Sequence, residues 1–347
     1  MEDSQLREML SALCPLPGPS GFERPLALRA AELLRPLVDE VSIDRMGNLI
    51  GVRRCGIPGA KRVLLDAHLD EIGLIVIGSE DGFLRFRSIG GVDPRVLPDH
   101  EVTILTDPPL FGVVACLPPH VQKAGDADKS VPIPELFLDT GLSQEEVEKL
   151  IPVGTPCVFR DGCFPLGRRE MCGKSMDDRA CFVTLLRAAQ MLKDKKLDVD
   201  LYILGSTREE VAYGGAATAV WTAAPDCCVA VDATHGRTPD APKDQTFELG
   251  GGPTVGVGPN MTRWMTERML AKAKAADIPV QLEVMAGSSG TNGWDMQIAR
   301  EGIPTAVLSL PVKYMHSPVE ALDLSDAEAV AALLAAFVEG IGEEALA

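Results

Sequence analysis

Residues 200–210 read DLYILGSTREE. Asp200 to Ser206 is an apolar, strand-forming run. Thr207 and Arg208 follow it and deliver two adjacent carboxylates, Glu209 and Glu210. Acids placed side by side repel unless a cation shares them. Four other segments each contain a residue able to bind a metal: AHLD at 67–70, SMDDR at 175–179, Val231-Asp232, and MHSP at 315–318. Together they supply imidazoles and carboxylates, a nitrogen and oxygen set suited to Zn²⁺ or Co²⁺.

Outward from this run, helix and strand signals alternate. Helices are expected over 178–192, 214–222, 263–276, 295–300 and 325–340. The strands between them fall at 200–205, 227–231, 280–284 and 305–309. Such alternation predicts an α/β fold, a mixed sheet covered by helices on both faces. Open sheets of this kind gather ligands beyond the carboxyl ends of their strands. His68, Glu209-Glu210, Asp232 and His316 each follow such a strand.

Upstream, helices at 5–14 and 24–37 flank a Pro/Gly-rich turn, and a hairpin (41–43, 48–53) turns at Met46-Gly47-Asn48. A strand at 62–67 delivers His68. Between 72 and 166 helical periodicity nearly vanishes, and short β-rich runs alternate with Gly and Pro (IGG at 89–91, DPP at 107–109, LPP at 117–119). One helix is expected there over 143–149, capped by Ser143 with Glu146 three residues on. The block reads as a small β-barrel inserted into a larger domain, with residues 1–71 and 167–347 forming the catalytic unit and 72–166 the insert.

The chain has 347 residues, 46% hydrophobic and 24% charged, the balance of a globular enzyme. A net charge of −17 argues against nucleic acid or anionic membrane as partners. No apolar run approaches membrane-spanning length, and the acidic N-terminus lacks a secretory pattern, so a cytoplasmic location is expected. Nine cysteines are scattered without C-x-x-C spacing, so they read as buried hydrophobes rather than a disulfide framework.

His68-x-Asp70 brings a carboxylate toward the imidazole, as metal-bound histidines require of a second acceptor. Asp177-Asp178 opens a helix, where one aspartate suffices to cap free N–H groups. A carboxylate also has two oxygens, enough to bridge metals about 3.5–4 Å apart. Glu209 and Glu210 project differently, so one can hold metal while the other faces an attacking water. His100 and His120 read as surface groups of the β-rich block. His235 follows Asp232, but nothing in its spacing demands ligation.

In this order the segments resemble the M42 family of aminopeptidases, glutamyl and deblocking enzymes that assemble into tetrahedral shells. The resemblance runs from Pro17–Glu23 through AHLDEIG (67–73), KSMDDR (174–179), EEV (209–211), VDAT (231–234) and GTN (290–292) to HSPVE (316–320). It implies two divalent metal ions per subunit, Zn²⁺ or Co²⁺. His68 and Asp232 would bind one, Glu210 and His316 the other, and Asp177 would bridge them. It further implies Glu209 as general base, Asp70 as the carboxylate orienting His68, and a cis bond at Asp177–Asp178. Water activated at the metals would then attack the scissile carbonyl of short peptides at their N-termini. The insert would be a PDZ-like or β-barrel domain and build dimers, which assemble into a dodecamer. Cys181 stands where relatives usually have glycine, Lys313 where arginine is common, and Asn292 where many have aspartate. Asn292 and Trp294 lie near the implied substrate pocket.

Two rivals differ in class. A glycoside hydrolase would use paired carboxylates about 5–9.5 Å apart across a sugar, but only 5% of the chain is aromatic, with three Trp to stack on sugars. A catalytically inactive, shell-forming homologue is the other, and the presence of every ligand and the base speaks against it.

Overall fold

The structure, a computed structural model, describes residues 2–121, 129–160 and 162–342. Its main sheet has eight strands in the order Glu40–Ile43, Leu49–Arg53, Asp200–Ser206, Arg62–His68, Cys227–His235, Thr305–Val312, Thr254–Val257 and Gln281–Val284. The four middle strands, from Asp200–Ser206 to Thr305–Val312, run parallel. They are buried almost throughout, as strands covered on both faces must be. The N-terminal hairpin and Thr254–Val257 add antiparallel neighbours. The fold is the mixed α/β sheet expected from the alternation.

Side-chain alternation along the strands separates two cores. Val63 and Leu65 pack with residues of the helices Glu2–Leu13, Arg24–Leu34, Met176–Leu192, Arg263–Ala275 and Leu324–Val338. Leu64, Tyr202 and Leu204 face the opposite way, onto Gly214–Ala223 and Gly293–Met296. Gly215 permits that second contact, because a Cβ there would lie 2.1 Å from the Thr207 carbonyl oxygen.

Several elements depart from expectation. Asp232 lies inside its strand rather than beyond it, because pairing with Thr305–Val312 continues to His235. The helix expected over 24–37 ends at Leu34 and gives way to a 3₁₀ turn, Arg35–Leu37. Pro36, lacking an N–H and fixed in φ, explains the change. The helix expected over 295–300 is the shorter Gly293–Met296.

A closed barrel is formed by Gly73–Glu80, Phe83–Ile89, Phe137–Asp139, Leu110–Ala115, Glu101–Ile104 and Pro156–Phe159, in that order around it. Leu74, Val76, Phe86, Val102, Ile104 and Leu138 fill its core. Closure leaves no free strand edge. The helix Gln144–Leu150 carries the expected capping box of Ser143 and Glu146. Cys163–Leu166, within the expected 72–166 block, pairs outside the barrel with Glu170–Gly173, which pairs in turn with Glu320–Asp323. This small sheet leads the chain directly into Lys174 and the helix Met176–Leu192.

Candidate metal centre

His68 ends its strand with Ser206 opposite it on the neighbouring strand. The Asp177–Asp178 bond is cis, as expected. Asp177 directs Oδ1 to His68 Nε2 at 3.2 Å and Oδ2 to His316 Nε2 at 3.3 Å. One carboxylate thus faces two imidazoles with separate oxygens. Glu210 Oε2 lies 3.3 Å from His316 Nε2. Asp232 Oδ1 and Glu209 Oε2 each lie 3.9 Å from His68 Nε2. Donor atoms of His68, Asp177 and Glu210 fall within 4.8 Å of one another, as do those of His68, Asp178 and Asp232. His68, Asp177, Asp178, Glu209 and Asp232 are all buried.

Asp70 approaches His68 and also braces the turn that carries the two glutamates. His68 Nδ1 is 3.1 Å from the Asp70 backbone carbonyl oxygen and 3.5 Å from its carboxylate. The carboxylate also accepts the backbone N–H groups of Glu209 (3.1 Å) and Glu210 (3.2 Å), and the Ser20 hydroxyl. Arg208, in the left-handed region at φ 61°, turns the chain after the strand to present those amides. Asp178 does not cap its helix; its Oδ2 accepts the His68 N–H at 3.1 Å, and its buried Oδ1 has no partner.

Other supports escaped the sequence reading. Glu320 Oε1 accepts the His316 N–H and Oε2 the Asp177 N–H, at 2.8 and 3.0 Å. The Gly91 carbonyl oxygen is 3.0 Å from His316 Nδ1. Buried Glu71 takes Lys174 Nζ (2.6 Å) on one oxygen and Arg179 Nη2 (2.9 Å) on the other. Arg179 also donates to the carbonyls of Leu13, Cys14, Leu16 and Leu69, tying the N-terminal turn to the site. Asn48 accepts the Thr207 N–H at 3.0 Å, two residues before Glu209. The sequence offered little signal for Glu71, which stands directly after Asp70 and before Ile72.

His235 is exposed at its strand end, outside the cluster. Asn292 lies beneath the site and donates from Nδ2 to Asp66 Oδ2 and Ser206 Oγ, both at 2.9 Å. The neighbouring Asp66 accounts for an amide here, since a second carboxylate at that distance would repel it. Lys313 pairs with Glu170 at 2.7 Å. His100 is not a simple surface group; it packs edge-on against Phe159 in the barrel, ring centroids 5.7 Å apart.

Electrostatics test whether cations fit. Burial, reinforced by Asp232, Asp177 and Glu210, pushes Glu209 up to about 10. Burial likewise raises Glu210, Asp178 and Asp232. It works to lower the imidazoles, yet the surrounding acids hold His68 well above its ordinary value and His316 at about 11. The pocket therefore contains more acid than its own imidazoles can neutralise. Divalent cations relieve that excess, and the mixed nitrogen and oxygen donors fit them.

An α/β sheet that collects histidines and carboxylates at the carboxyl ends of its central strands defines a hydrolytic metalloenzyme. The chain belongs to the M42 glutamyl aminopeptidase family, whose profile matches residues 47–333. It is 34% identical to the lysyl aminopeptidase of Pyrococcus furiosus over 339 residues, 96% of each chain. The solved aminopeptidase APDkam598 of Desulfurococcus kamchatkensis superposes with a TM-score of 0.93 at 35% identity, covering 100% of this chain and 98% of that one. The TET1 peptidase of Pyrococcus horikoshii, which assembles into a tetrahedron or a large octahedral shell, gives 0.84 at 29% identity over 96% and 99%. The chain is thus an enzyme of a peptide-hydrolysing family, and the glycosidase reading is not favoured.

Proposed function

We propose that the protein is a dinuclear metal-dependent aminopeptidase that removes N-terminal residues from short peptides. The observation that carries this is Asp177, whose two oxygens face His68 and His316 at 3.2 and 3.3 Å. On this reading His68 and Asp232 would hold one cation, Glu210 and His316 the other, and Asp177 would serve both. Zn²⁺ or Co²⁺ suits these donors. The bound ions supply positive charge that acidifies water and polarises a peptide carbonyl.

The protein's own residues do the rest. Glu209, whose Oε2 lies 3.9 Å from His68 Nε2 beside the ligand carboxylates, accepts the proton of the attacking water and returns it to the leaving amine. Asp70 fixes the amides of Glu209 and Glu210, so base and ligand keep their spacing. The acid-rich pocket receives the substrate's α-ammonium, which favours chain ends over internal bonds.

We also take residues 72–166 as the dimerising element, with dimers closing into a hollow dodecamer as the likeness to TET1 supports. Such a shell admits only short or unfolded peptides. The acidic net charge, the nine free cysteines and the absence of any membrane-length apolar helix among the described residues support a cytoplasmic enzyme without nucleic-acid or membrane partners.

The test is chelator-stripped protein reloaded with Zn²⁺ or Co²⁺ and given aminoacyl reporters and short peptides. Metal-dependent release of N-terminal residues is expected. No release from any member of the panel overturns the reading.

A further inference from the structure

Glu320 is 2% exposed, and both its oxygens accept backbone N–H groups. Those amides belong to Asp177 and His316, which reach the site from different elements. The strand Glu320–Asp323 lies antiparallel to Glu170–Gly173, with Glu320 opposite Gly173, a few residues before Asp177. His316 itself stands at φ +61°, a left-handed conformation that a histidine adopts only where neighbours hold it. Glu320 is thus one rigid clamp on two candidate ligands.

The clamp is uneven between the two cation positions. Around His316 it grips His316 and Asp177, leaving only Glu210 to other supports. Around His68 it grips Asp177 alone. His68 is held through its N–H by Asp178 and through Nδ1 by the Asp70 carbonyl oxygen. The Asp232 carboxylate is fixed by the Ala233 N–H at 2.8 Å.

We infer that Glu320 is a positioning residue that selectively sets the affinity of the Glu210/His316 cation, while the His68/Asp232 cation is retained without it. The inference rests on the dinuclear reading above. Gln at 320 keeps the shape but turns one acceptor into an NH₂ group facing an amide N–H. Outer supports of metal ligands are worth about 10–100-fold in affinity.

The experiment titrates Co²⁺ into chelator-stripped, full-length wild type, Glu320→Gln and Glu320→Asp. It follows the visible absorption of cobalt, the metal content and the melting of the stripped proteins. Wild type is expected to take two ions per chain. Each variant should keep one ion with a clearly smaller loss of affinity and bind the second about 10–100-fold more weakly, with melting of the stripped protein little changed. Activity lost at low Co²⁺ should return at high Co²⁺, which general damage would not produce. Two wild-type affinities, equal weakening of both ions, or unfolding of both variants overturns the inference. A wild type that binds no cobalt sinks the dinuclear reading and this inference together. Two bound ions with no aminopeptidase activity would count against the proposed reaction alone.

Discussion

Glu209 and Glu210 are neighbours in sequence and face different imidazoles, His68 at 3.9 Å and His316 at 3.3 Å. Successive residues of a helical turn project about 100° apart, so a single turn separates base from ligand. Glu209→Gln should lower kcat by about 10²–10⁴-fold with metal content unchanged; metal analysis beside steady-state kinetics checks both, and an unaltered kcat removes Glu209 from the base role. Gly91→Ala should also impair the site. Its new Cβ would stand 2.8 Å from His316 Nδ1, so weaker metal binding in a calorimetric titration is expected. The ligand-type residues were legible because few side chains can bind a hard or borderline cation, and their segments recur in a recognisable order. Glu320 and Asn48 were not, because a carboxylate or amide that receives a backbone N–H is spelled like one in solvent.

Among elements, the buried triad of Lys174, Glu71 and Arg179 joins the N-terminal turn, the end of the strand Arg62–His68 and the helix carrying Asp177. Glu71→Ala strands two buried cations, so a loss of about 3–5 kcal/mol is expected in denaturant unfolding. Burial pushes the Glu71 carboxyl upward, but Arg179 and Lys174 outweigh it and hold the group below its ordinary 4.5. A lowered acid stabilises the fold fully above that value and loses its contribution as pH falls through the folded value. The stability gap between wild type and Glu71→Gln should therefore narrow as pH drops below 4.5. A gap that widened would contradict the assignment. Long periodic helices and apolar strands could be read directly. CFPL, EMCG and EALD could not, since these four-residue strands owe their form to pairing with one another rather than to any pattern of their own.

At the scale of the whole molecule, the barrel and the α/β unit each have a core, yet the loop after Phe83–Ile89 reaches the site through Gly91. The β-rich composition announced a barrel, but its contact with His316 depends on distant packing that sequence does not display. If the proposed shell forms, light scattering after gel filtration should report twelve copies of the 37.0-kDa chain. A monomeric mass would refute it. Chelation should stop amino-acid release, and reloading should restore it with about 2.7 kcal/mol of stabilisation at a hundredfold excess over Kd. Most direct is anomalous diffraction from crystals of the cobalt- or zinc-loaded protein. Two peaks about 3.5–4 Å apart, flanking Asp177 between His68 and His316, are predicted; a single peak, or none at that position, would contradict the account.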